Sequence, residues 1–234
     1  MGASELGSEK FGPNNLLGRL PREIAGKLLA TERTVTLSEG EILFERGDAG
    51  DGCYWLRRGV LKVSVESAAG EERILAILGP GAIVGELAMI DGLPRSATVH
   101  AVRPSELTFI SRSAFSEMLR GSPQLYADIV KTLAGRLRQS DEDMVASTFL
   151  SVSARVARAL LQFARHLGQE IGPGQLQIRH RITQSDLAAM AGVARESVSR
   201  TLRGWSRQKI LEGSSRGGYV VNEARLKGEA SVAE

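Results

Sequence analysis

The chain has 234 residues, 42% of them hydrophobic, and a formal net charge of +3. That size and apolar content suit two modest cores, and no apolar run approaches the roughly 20 residues that a membrane-spanning helix needs. The single cysteine, Cys53, excludes an internal disulfide, and an N-terminus rich in Gly, Ser and Glu has no apolar signal core, so the cytoplasm is the expected location.

A short helical pattern covers residues 16–29. The chain then breaks into brief β-favouring runs at 33–37, 41–44, 53–58, 60–65 and 73–78, punctuated by Gly40, Gly47, Gly50, Gly52, Gly59, Gly70, Gly79 and Gly81; further runs follow at 97–102 and 107–111. This rhythm predicts an antiparallel barrel or jelly-roll-like unit. Residues 81–99 interrupt it. Gly85-Glu86-Leu87 reads as the opening of a single helical turn, and Pro94-Arg95-Ser96-Ala97 closes the segment. A short helix offers free backbone N–H groups to an anion. Arg95 adds a forked cation suited to phosphate, and Glu86 an acceptor suited to sugar hydroxyls. From spacing alone two readings stay open: a pocket for a phosphorylated nucleoside, or a Glu86–Arg95 surface ion pair.

Residues 122–149 predict a long helix with Ser122 as N-cap and Pro123 at the first helical position. Val130, Leu133, Leu137, Ser140, Met144 and Ser147 recur at alternating steps of three and four, the spacing of a coiled-coil seam, so a homodimer is expected. Leu125, Ile129 and Val145 also allow packing of the helix on its own domain. Ser140 breaks the apolar seam and Asp141 follows it, an arrangement that costs stability unless a partner, such as a purine base, is supplied. Arg136, one turn earlier, is placed either to reach a ligand's phosphate or ribose or to lie exposed.

Residues 149–153 form the expected hinge, followed by a helix through Val156, Leu160 and Phe163, a loop over 168–174 and a strand at 176–178. Residues 183–202 then read as helix, tight turn and helix. Leu187 and Met190 mark the first apolar face, Gly192 supplies the turn, and Val193, Val198 and Leu202 mark the second face. Arg195, Glu196, Ser197, Ser199 and Arg200 are left outward near the start of the second helix, where side chains reach base edges. Arg195 and Arg200 match the acceptors of guanine and Glu196 the cytosine amino group. Thr183, Gln184, Ser197 and backbone near Val152 are phosphate candidates. Residues 210–221 suggest a two-stranded wing with Arg216 at its tip, also placed for phosphate, and the tail beyond Lys227 is expected to be disordered. From Val152 to Lys227 thirteen Lys and Arg face five Asp and Glu, a net +8 that leaves −5 for the remainder. A basic module joined to an acidic one fits double-stranded DNA as partner of the first.

The cassette Gly85-Glu86-Leu87 to Arg95-Ser96-Ala97, the glycine-punctuated strands around Gly50-Asp51-Gly52-Cys53-Tyr54-Trp55 and the terminal helix-turn-helix together resemble the CRP/FNR family of bacterial regulators, the catabolite activator (cAMP receptor) branch most of all. The resemblance implies an α+β architecture: a cyclic-nucleotide-binding β-roll over 12–121, a dimerisation helix and hinge over 122–150, a winged helix-turn-helix over 151–227, and a tail over 228–234. It implies that Arg95 and Ser96 bind the cyclic phosphate and Glu86 the ribose 2′-OH, with Gly85, Leu87 and Ala97 lining the site, and that Ser140 and Asp141 meet the base from both subunits. The ligand expected is cAMP or cGMP, since the Asp141 carboxylate accepts equally from the adenine amino group or from guanine N1 and N2 hydrogens. The expected partners are a palindromic DNA operator, a second copy of the chain and RNA polymerase, with no membrane, no metal and no enzymatic activity. One Cys excludes the cysteine-cluster oxygen sensors, and His100, His166 and His180 offer no evident haem pair. Two rivals remain: a ligand-independent regulator with a vestigial pocket, and a cupin-like barrel enzyme fused to a DNA-binding domain, which needs a metal-binding His and carboxylate cluster where His100 is the only histidine of the roll.

Overall fold

The computed structural model describes residues 33–213 and 217–231; the helix expected over 16–29 and Arg216 lie outside them. The described residues divide into two compact units, one made of those up to 61 with 78–136 and the other of 62–77 with those from 137 onward. The long helix is shared between the units, and a stretch of the roll, 62–77, belongs with the C-terminal part.

Six strands build the roll: β1 (Arg33–Leu37), β2 (Ile42–Phe44), β3 (Gly52–Glu66), β4 (Glu72–Leu78), β5 (Ile83–Val84) and β6 (Thr98–Ser111). Their order is β1-β6-β3-β4, with β2 on β6 and β5 on β3. Antiparallel registers fix the faces, Leu37 opposite Ser105 and Trp55 opposite Ile83. Two pairs of expected strands are fused. The runs at 53–58 and 60–65 form one strand across Gly59, and those at 97–102 and 107–111 form one across Pro104. Gly59, at φ +98, lies against Ser105 and the Pro104 carbonyl so closely that any Cβ would overlap Ser105. The glycine therefore marks a close approach of two strands, where the sequence suggests a turn. Pro104 is tolerated because it sits at an exposed position of its strand.

The helical turn expected after Glu86 is α1 (Leu87–Asp91), ended by Gly92 in the left-handed region. A helix that sequence patterning did not single out, α2 (Arg112–Gly121), starts on Ser111, whose hydroxyl accepts from the Ala114 N–H, and buries Phe115 and Met118. The long helix is α3 (Pro123–Phe149), with the Ser122 hydroxyl accepting from the Leu125 N–H at 3.3 Å as its capping pattern predicts. Its first turns belong to the roll's core. Leu125 and Ile129 are buried with Cys53, Ile83, Met89 and Phe115, and Leu133 packs at the edge. Val145, by contrast, is 57% exposed.

In the second unit α4 (Val152–Leu167) opens on Ser151, which accepts from the Ala154 N–H, and buries Val156, Leu160 and Phe163 as its spacing predicts. The loop expected over 168–174 is instead a strand, β7 (Gly168–Gly172), paired with β8 (Gln175–Ile178). Its polar run Gln169-Glu170 hides the pairing, because backbone hydrogen bonds to β8 hold it without an apolar face. With β9 (Leu211–Gly213) and β10 (Tyr219–Asn222) these make a four-stranded sheet, β7-β8-β10-β9, of which the expected wing is half. Between the pairs lie α5 (Gln184–Ala191) and α6 (Arg195–Arg207). The last helix, α7 (Glu223–Glu229), runs two residues into the tail expected over 228–234, of which 232–234 lie outside the described residues. The reason is long-range: Leu226 is fully buried, and the Glu229 carboxylate accepts from Trp205 Nε1 and Ser153 Oγ, each at 3.0 Å.

Candidate ligand pocket and DNA-reading helices

Arg95 is the buried cation of the cassette. Only 4% exposed, it carries a charge away from water, which is costly unless compensated. Its Nη1 donates to the Gly85 carbonyl at 2.8 Å, its guanidinium lies 4.3 Å from the Phe44 ring centroid, and its Nε has no partner. Its carboxylate contact, Asp51 at 3.4 Å, is 73% exposed at the side chain. Gly85 leaves room for it, since a Cβ there would press on the guanidinium. Such a buried, part-satisfied cation beside a short helix suits an anion.

Glu86 is also 4% exposed, at the N-terminus of α1, and it is not paired with Arg95. The surface ion pair that spacing left open is thus excluded: the carboxylate is bound by Arg136 of α3, whose Nη2 also donates to the Ile83 carbonyl at 2.8 Å. Burial, and after it the Glu86 charge, pushes the Cys53 thiol pKa up, with Arg95 pulling the other way, so Cys53 is an inert core residue. Ala97 is buried, Ser96 is exposed beside Arg95, and Leu87 is 38% exposed. The structure therefore joins Gly85, Glu86, Arg95 and Arg136 through hydrogen bonds. Ser140 and Asp141 stand exposed on α3, one turn beyond Arg136 and in the second unit. Sequence reasoning missed Asp51, Phe44 and Tyr54 as the surroundings of Arg95; Asp51 lies in the glycine-rich run, but its pairing spans 44 residues.

The reading module forms as its local signals predict. Thr183 caps α5 in a capping box: its hydroxyl accepts from the Asp186 N–H at 3.0 Å, and Asp186 accepts from the Thr183 N–H at 2.9 Å. Gly192, at φ 63, makes the turn. Along α6, Val198, Leu202 and Trp205 are buried, while Arg195, Glu196 and Arg200 are exposed together near its N-terminus. Ser197 is half-buried, and its carbonyl accepts from Thr201 Oγ1. Gln184 and Val152, at the starts of α5 and α4, are half-buried. Among the described residues no group of three or more His, Cys, Asp or Glu is placed to hold a metal, so the cluster that the enzyme reading requires is not found there. Among the same residues no helix is long and apolar enough to cross a membrane.

Comparison with known proteins bears on this pairing of pocket and reading module. Residues 34–122 match the cyclic nucleotide-binding domain, and residues 154–228 match the Crp-like helix-turn-helix domain. The cyclic AMP receptor protein of Thermus thermophilus is 34% identical over 209 residues, 89% of this chain and 92% of its own. The chain belongs to the CRP/FNR family. A CRP-like cAMP-activated global transcriptional regulator of Mycobacterium tuberculosis is 32% identical over 77% of this chain and 81% of its own. Among solved structures, the catabolite activator protein of Thermus thermophilus superposes with a TM-score of 0.52 at 30% identity, covering 92% of this chain and 98% of that one. The c-di-GMP responsive regulator CLP of Xanthomonas campestris reaches a TM-score of 0.74 over 86% of this chain and 99% of that one, at 22% identity, which speaks for the fold alone. This CRP/FNR member is accordingly a DNA-binding transcriptional regulator with a cyclic nucleotide-binding domain.

Proposed function

We propose that the chain is a homodimeric regulator whose operator binding is gated by a 3′,5′-cyclic nucleotide. The observation that carries this is Arg95: a buried guanidinium with an unpartnered Nε and an exposed carboxylate for counter-ion. A cyclic phosphate, with Ser96 beside it, replaces Asp51 as the better partner, and the ribose 2′-OH donates to Glu86. Because Arg136 holds Glu86 from α3, ligand contacts bear on the same helix that carries the seam. Val130, Leu137 and Met144, spaced by seven residues, are 49%, 64% and 70% exposed, an apolar stripe that a second copy covers. Ser140 and Asp141 meet the base at that seam, and the paired α6 helices read a palindromic operator through Arg195, Glu196 and Arg200 in the cytoplasm.

The related proteins named for cAMP make it the first candidate, and Asp141 admits cGMP. Calorimetric titration of the purified protein with each is expected to show saturable binding of cAMP, with cGMP competing for the same site. Heat changes indistinguishable from dilution for both would contradict the assignment.

A further inference from the structure

The stretch 62–77 runs from the end of β3 through β4 and is matched to the cyclic nucleotide-binding domain, yet it is compact with the DNA-reading unit. Two of its cations touch both ends of α5. Lys62 Nζ lies 2.7 Å from Glu72 and 4.0 Å from Asp186, the acid in the first turn of α5. At the other end Arg73 Nη1 donates to the Ala189 carbonyl at 3.4 Å. Arg155 of α4 joins it, donating to the carbonyls of Ala191, at 3.1 Å, and Gly192. Carbonyl groups in the last turn of a helix lack intrahelical donors and carry partial negative charge, so two guanidiniums are well placed there. Gly192 admits them because a Cβ at the turn would overlap Arg73. Arg73 and Arg155 both lie against Gly192, and burial, then the charge of Arg155, lowers the Arg73 pKa from its usual value while Asp143 opposes.

We propose that Arg73 is a positioning residue for DNA reading: from a strand of the ligand-sensing sequence it holds the carbonyl end of the first helix of the motif, and so sets the angle at which α6 is presented. This rests on the operator binding proposed above. The test uses the full-length protein, saturating cAMP and a palindromic duplex selected by the wild-type protein from a random pool. Arg73→Ala is expected to weaken operator binding by about tenfold, the scale of one charge-assisted hydrogen bond to a carbonyl. Its cAMP affinity stays within about twofold of wild type, and amide exchange quickens at residues 189–193. Arg73→Lys recovers part of the loss, and Arg57→Ala, an exposed arginine earlier on β3, changes none of these. Unchanged operator affinity in Arg73→Ala, or a loss accompanied by faster exchange throughout the chain, would overturn the proposal. Wild-type binding to the selected duplex, measured alongside, tests the functional reading separately.

Discussion

Arg95→Leu is expected to lose cyclic nucleotide binding while the ligand-free protein keeps its stability. Truncating one partner of a buried, hydrogen-bonded charge pair costs about 2–5 kcal/mol, so cAMP affinity should fall by roughly thirty-fold or more. The stability half of the expectation follows from geometry. Arg95 is 4% exposed, its Nε has no partner, and its carboxylate contact is a solvent-exposed Asp51 at 3.4 Å. A buried charge compensated this poorly contributes little to folding, and apolar replacements of such groups are often neutral or stabilising. The Phe44 ring, already 4.3 Å from the guanidinium, packs equally well on leucine. Thermal unfolding with and without cAMP separates the two effects. The ligand-free midpoint should be held or raised, and the rise with cAMP should vanish. A variant whose midpoint still climbs with cAMP as the wild type does would remove Arg95 from the site.

Arg200→Ala is expected to reduce operator affinity by about thirty-fold or more. A bidentate arginine–guanine contact is worth about 1–3 kcal/mol of discrimination, and a dimer on a palindrome loses it twice. The side chain is exposed on the face of α6 opposite Val198, Leu202 and Trp205, so its removal leaves the core intact. Binding to unrelated DNA, which rests on phosphate neutralisation, falls far less. Competition assays with operators altered at a single base pair report the loss directly: the variant should stop distinguishing guanine at one symmetric pair of positions. Retained discrimination at every position would assign Arg200 to the solvated face of the helix.

What sequence patterning conveys depends on how far each interaction reaches. The turn at Gly192 and the stripe Val198-Leu202 act within a few residues, and each stands where its pattern predicts, while the equally local capping box from Thr183 to Asp186 goes unread in the sequence. The cassette from Glu86 to Arg95 is also local, and both its charged residues are buried. Patterning misleads where a residue answers to a distant partner. Gly59 reads as a turn, but its lack of a side chain serves Ser105 across the sheet. Gln169-Glu170 reads as loop because the edge pairing with β8 leaves no apolar signature. Residues 228–229 read as tail because the bonds that order Glu229 come from Ser153 and Trp205. Arg73 carries no sequence signal at all, since the carbonyl it holds is 116 residues away.

The central claim is that ligand occupancy and operator affinity are linked. Fluorescence anisotropy of a labelled operator, titrated with wild-type protein in the absence of cAMP and at saturation, measures that linkage directly. A coupling of about 1–3 kcal/mol predicts that cAMP tightens operator binding by about 5- to 150-fold, and that the operator tightens cAMP binding by the same factor. Equal operator affinities with the pocket empty and full would contradict the account.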